Sequence, residues 1–202
     1  MVFYRHLGSA VVPGGVEIRL YSHENDYSIL LPTDELMSTR MRASEDTLAV
    51  QSLARVRHCP APRLLIGGYG MGFTLRAALA AGGPDLKVTV AEIVPEIIDW
   101  ARGPMAEVTQ GCLDDPRVTI DMRDVAEPIM EAKERFDAIL LDVDNGPVGV
   151  PRQDNDGLYS KHGLAAAWRA LAPRGVLAVW SAKPDAGFTR RLKRTGFAVE
   201  IL

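Results

Sequence analysis

Three carboxylates, Glu92, Asp124 and Asp142, and one glycine-rich bend, Gly67-Gly68-Tyr69-Gly70-Met71-Gly72, are the residues whose types and spacing suit chemistry. The bend follows the apolar run Leu64-Leu65-Ile66 and precedes a helical pattern, a place where backbone must approach a ligand closely. A dinucleotide fingerprint beginning at Gly68 requires a glycine at position 73, and Phe73 stands there. The observed Gly68-x-Gly70-x-Gly72 instead suits a transferase that binds a nucleoside without a pyrophosphate. The competing reading is a tight strand-to-helix turn that holds no ligand.

The carboxylates recur where strands are expected to end. Glu92, followed by Ile93, closes an apolar run twenty residues after Gly72, and a carboxylate there can accept hydrogen bonds from both ribose hydroxyls. Asp124, followed by Val125, comes after the next run and can accept from an adenine amino group; its alternative role is to cap the helix that follows. Asp142 ends Ala138-Ile139-Leu140-Leu141, at the strand edge where open α/β sheets bind ligands. There it can hold an ammonium and take its proton. Its competing reading is an Asp-Asn-Gly-Pro turn, which is the expected role of Asn145. A polar stretch, Arg152 to Asp156, then leads to Leu158-Tyr159; it can close over the site with the Tyr159 hydroxyl toward substrate, or serve as a plain crossover.

The elements that would position these residues alternate. From Arg63 onward, strand-like runs at Leu64–Ile66, Val88–Ile93, Val118–Met122, Ala138–Asp142, Val176–Ser181 and Phe197–Leu202 are separated by helical patterns near 73–81, 95–102, 128–135, 161–171 and 186–194. Alternation of this kind predicts a doubly wound α/β domain on a mostly parallel sheet, whose strands are apolar because both faces are covered. Before it, Val16, Ile18 and Leu20, a turn at 22–25, and Tyr27, Ile29 and Leu31 predict a β-hairpin. A helix led by Ser44, Glu45 and Asp46 and stopped by Pro60 and Pro62 connects the two. The division expected is 1–43 for a small β element and 44–202 for the nucleoside-binding domain, with a final antiparallel strand missing or cut off.

Composition narrows the function. With 47% hydrophobic residues, 24% charged residues and a net charge of -3, the chain has no basic footprint for nucleic acid. No run approaches a membrane span, no signal peptide opens the chain, and Cys59 and Cys112 make no disulfide framework, which points to the cytoplasm. His6, His23, His58 and His162 are scattered, so no metal is expected.

With these residues assembled, the chain resembles the spermidine synthase family of polyamine aminopropyltransferases over most of its length. The hairpin followed by Asp34-Glu35-Leu36-Met37 is similar to that family's small β domain; Gly67 through Gly72, Glu92 and Asp124 correspond to its glycine motif, ribose acid and adenine-side acid. Asp115-Pro116-Arg117-Val118, Asp142 with Pro147-Val148-Gly149, and Leu158-Tyr159 match further motifs. The resemblance implies a fold of the class I methyltransferase type, a homodimer, decarboxylated S-adenosylmethionine as co-substrate and a small-molecule amine as acceptor. It also implies catalytic roles for Asp142 and for Asp144, which stands in for a second family aspartate in a loop one residue longer. Gly70 replaces a family aspartate that contacts the amino end of the donor, which favours a methyltransferase as the alternative, and Ser38-Thr39 in place of the family's Tyr-His pair points to an acceptor other than putrescine. The alternatives are a methyltransferase using S-adenosylmethionine itself and a catalytically silent nucleoside-binding or dimerisation module.

Overall fold

The computed structural model describes residues 4–40, 43–142, 155–181 and 184–202. At its centre lies a parallel sheet formed by β5 (Arg63–Gly67), β6 (Lys87–Ala91), β7 (Val118–Asp121), β8 (Phe136–Leu141) and β9 (Leu171–Val179) in the order β7-β6-β5-β8-β9. Every residue of β8 is buried, as expected of a run covered on both faces. Alternate side chains enter two separate cores. Leu64, Ile66, Ala138 and Leu140 join α1 (Ala43–Arg55), α2 (Phe73–Ala81) and α3 (Pro95–Arg102) on one face. Leu65, Ile139 and Leu141 join α5 (Ala126–Glu131), α7 (Lys161–Ala170) and α8 (Ala186–Thr195) on the other. The sheet is therefore doubly wound, as the alternation of elements predicts.

The amino-terminal element is larger than the predicted hairpin. It is a four-stranded antiparallel sheet, β1 (Arg5–Val11), β2 (Glu17–His23), β3 (Asp26–Leu30) and β4 (Glu35–Ser38), in chain order. β1 escapes sequence detection because, as an edge strand, it buries only Ala10 and so shows no apolar alternation. β4 is too short to register and contains the Glu35-Leu36-Met37 segment. The inner face of this sheet, including Ile18, Leu20 and Ile29, continues into the core that holds Leu64 and Trp100. Gly8 allows the close approach, since a Cβ there would lie 2.7 Å from Trp100 Nε1.

The carboxyl end departs from expectation. No strand forms over 197–202. Instead Gly196, at φ 115°, ends α8, the Phe197 amide donates to the Leu192 carbonyl, and the Phe197 ring packs edge-on against Trp168 with centroids 4.9 Å apart. Alternating residues become a strand only beside a free edge, and the described residues bring none to this segment. β9 also starts earlier than predicted, directly after α7, because Leu171 pairs with Phe136 before the register shifts. The helix expected over 128–135 is shorter and earlier, at Ala126–Glu131, and α4 (Ala106–Thr109), a 3₁₀ turn at Cys112–Asp114 and α6 (Asn155–Leu158) were not anticipated. Among the described residues, no helix is long and apolar enough to cross a membrane.

Candidate active site

Register carries the scattered residues to one edge. Gly67 pairs with both Ala91 and Leu141, and Ala91 pairs with Asp121, so four neighbouring strands end level. The residues just beyond these ends, Gly68, Glu92, Asp124 and Asp142, line a single cleft at the carboxyl edge of the sheet. Ile93 and Val125 line it as well, as does Arg123, which the sequence did not single out. Arg123 pairs with Asp121 at 2.8 Å and with Glu131 at 3.0 Å.

The glycines of the bend divide by role. Gly68 and Gly70 reach the cleft, at φ 77° and 57°, conformations that side chains other than glycine rarely adopt. Gly67 and Gly72 do not line it. A Cβ at Gly67 would press on Leu141 and Val125 at 3.0 Å, and one at Gly72, whose φ is 78°, would meet the Tyr69 hydroxyl at 2.5 Å. Gly72→Ala is therefore expected to cost about 2–3 kcal/mol, seen as a melting temperature lower by roughly 5–10 °C. An unchanged melting temperature would show that the bend can shift freely.

Glu92 is almost fully enclosed, with 6% of its surface exposed. Its Oε1 accepts from the amides of Ile93 (2.8 Å) and Val94 (2.9 Å), and its Oε2 from the amide of Tyr69 (2.9 Å). Burial pushes its pKa above the ordinary carboxylate value, and these amides pull the other way. Oε1 thus accepts two amides and Oε2 one, which leaves the freer acceptor on Oε2. Asp124 Oδ1 accepts from the Ala126 amide at 2.8 Å, so the residue does lead the next helix, yet it also faces the cleft. The bond to the helix start and a place on the cleft coexist.

Asp142 lies half-buried in the cleft, and its pKa is pushed up to about 6, first by burial and then by the negative charge of Glu45. Glu45, read from sequence as a first-turn helix acid, thus acts on the site electrostatically; only the packing of α1 reveals this. Asp144, Asn145 and the Pro147-Val148-Gly149 motif lie outside the described residues. Tyr159 stands apart from the cleft: its ring is buried 5.6 Å from Phe188, edge to face, in the core beneath α7 and α8. The wall opposite the strand tips comes from the amino-terminal sheet and the turn after β1, through Val12, Pro13, Ile18, Leu36 and Met37. The Met37 sulfur lies 3.2 Å from where a Cβ at Gly70 would stand. A thioether therefore fills the space that a side chain at this position would enter.

A larger groove of about 600 Å³ lies elsewhere, between α2 and the Cys112–Asp114 turn. Two of its acids are already paired, Asp115 with Arg117 and Asp114 with Arg102, and it lies away from the strand tips. The candidate active site is therefore placed at the strand tips.

The profile of the spermine/spermidine synthase domain matches residues 56–186. The chain belongs to the spermine/spermidine synthase family. Among curated members, it is 33% identical over 130 residues to polyamine aminopropyltransferase 1 of Streptomyces coelicolor, covering 62% of this chain and 23% of that protein. It is 36% identical over 100 residues to the polyamine aminopropyltransferase of Sulfurisphaera tokodaii, covering 49% of this chain and 32% of that protein. The spermidine synthase of Thermotoga maritima superposes with a TM-score of 0.73 at 23% identity, over 95% of this chain and 64% of that one. A spermidine synthase in complex with the transition-state analogue AdoDATO superposes with a TM-score of 0.73 at 23% identity, over 95% of this chain and 63% of that one. The chain thus spans about a quarter of the first curated relative and under two thirds of these solved synthases. Superposition over 95% of this chain shows that its small antiparallel sheet and parallel five-stranded sheet share the fold of those synthases.

Proposed function

We propose that this family member is an aminopropyltransferase. It would take decarboxylated S-adenosylmethionine into the strand-tip cleft and transfer its aminopropyl group to a small amine. The observation that carries this reading is the convergence of Glu92, Asp124 and Asp142 with the Gly68–Gly70 backbone in one cleft. Glu92 would hold the ribose hydroxyls, Asp124 the adenine amino group, and Gly68 and Gly70 would let the backbone lie against the nucleoside.

In this mechanism Asp142 binds the incoming ammonium and accepts its proton. The freed nitrogen lone pair attacks the aminopropyl carbon bonded to the sulfonium, the carbon–sulfur bond breaks, and its electron pair passes to sulfur, leaving methylthioadenosine. Alignment does most of the work, and carboxylates around the cleft favour a cationic donor. Asp144 remains a proposed contributor on the acceptor side, and no metal is required. The apolar side chains of Ile18, Leu36 and Met37 on that wall support an acceptor other than putrescine, whose second ammonium would face them. A cytoplasmic homodimer accompanies this reading, to be checked by light scattering.

The test is turnover and binding with both donors over a panel of amines. Decarboxylated S-adenosylmethionine is expected to support transfer, and kcat/KM should fall about tenfold per pH unit below about 6 as Asp142 is protonated. Clear preference for S-adenosylmethionine, with methyl transfer to the acceptor, would overturn the aminopropyl reading.

A further inference from the structure

The bend carries a bulky aromatic residue, Tyr69, between two glycines in left-handed conformation, Gly68 and Gly70. Its side chain does not reach the cleft. It turns into the core, 5% exposed, and its hydroxyl meets Cys112 Sγ at 3.3 Å on the 3₁₀ turn. Its ring and hydroxyl occupy the volume that a Cβ at Gly72 would need, with the ring atom Cε2 at 3.2 Å and the hydroxyl at 2.5 Å. Meanwhile its backbone faces the other way: the Tyr69 amide donates to Glu92 Oε2 at 2.9 Å, and its carbonyl accepts from the Gly72 amide at 2.9 Å.

One residue therefore connects the core to the carboxylate. The three left-handed glycines leave the bend with little conformational preference of its own, so something else must hold it in one arrangement. The phenol seated on Cys112 and beside Gly72 does this, and the amide of the same residue fixes the orientation of Glu92. Burial drives the phenol's pKa upward, so it remains protonated and able to donate. Glu92 takes its orientation from these amides, and loss of one of the three donors would let it turn.

We propose that Tyr69 is a positioning residue: its core-anchored phenol holds the glycine bend so that Glu92 is presented in a fixed orientation to the ribose of the nucleoside. The inference rests on the ribose role given to Glu92 above. It assigns Gly72 to the accommodation of Tyr69 rather than to ligand contact.

The test compares methylthioadenosine with its 2′-deoxy analogue by calorimetry on the intact protein. Wild type is expected to bind the ribonucleoside at least tenfold more tightly. Tyr69→Phe keeps the ring and loses the hydroxyl contact; it should shrink that ratio about three- to tenfold, and Cys112→Ala should do the same more weakly. Ile129→Val, a change to a buried side chain in the other core, should lower the melting temperature while leaving the ratio intact. A Tyr69→Phe protein that melts earlier but keeps the wild-type ratio overturns the proposal alone, because Tyr69 would then be structural only. Equal binding of the two nucleosides by wild type removes the ribose role of Glu92, and the proposal with it.

Discussion

Asp142→Asn is expected to lower amine transfer by about two to four orders of magnitude while leaving nucleoside affinity within a few-fold, and to make the unliganded protein more stable. The first effect follows because the amide keeps the shape of the carboxylate but cannot take a proton, and general-base catalysis is worth roughly that much. The second follows from linkage. The folded pKa of Asp142 is about 6 against an ordinary 3.8, so the folded state favours the protonated form. The stability this group contributes is fully present below about 3.8 and is lost as pH rises through about 6. Near pH 7 the ionised side chain costs up to about 3 kcal/mol, which asparagine removes. A melting temperature raised by roughly 5–10 °C at pH 7, with the difference vanishing below about pH 4, is the expected outcome. An Asn variant that retains full turnover would exclude Asp142 as the base. One that melts with wild type at both pH values would exclude its strained ionisation.

Glu92→Ala should be the most damaging change to nucleoside binding. It removes the acceptor of three amides, those of Tyr69, Ile93 and Val94, around a side chain that is almost fully enclosed. An orphaned buried donor costs about 1–3 kcal/mol, and part of the total is returned because a costly buried carboxylate is also removed. A net loss of roughly 2–5 kcal/mol in stability is expected from denaturant unfolding. Affinity for methylthioadenosine should fall on the order of a hundredfold or more, as two charge-assisted bonds to the ribose disappear. Glu92→Gln, which keeps an acceptor oxygen, should lie between. Near wild-type affinity in both variants would place the ribose elsewhere.

The sequence was most legible where periodicity and burial coincide. The central strands Leu64–Ile66 and Ala138–Leu141 are continuous apolar runs because helices cover both faces, and their ends mark the ligand edge without any coordinates. Glycines flanked by a strand and a helix, and acids just past strands, were legible for the same reason. β1 was hidden by its exposure, and the run at 197–202 misled because alternation carries no information about whether a neighbouring strand exists.

Within the site, sequence alone indicated that Glu92, Asp124 and Asp142 would gather at one edge with the glycine bend, since a parallel sheet in register brings strand ends together. It could not determine the contacts made across elements distant in the chain. The charge of Glu45 acting on Asp142, Met37 filling the space at Gly70, the seat of Tyr69 on Cys112 and the withdrawal of Tyr159 into the core all join separate elements. Local spacing sets periodicity and strand ends; only packing decides which side chains meet, and so which glycine serves the ligand and which serves the core.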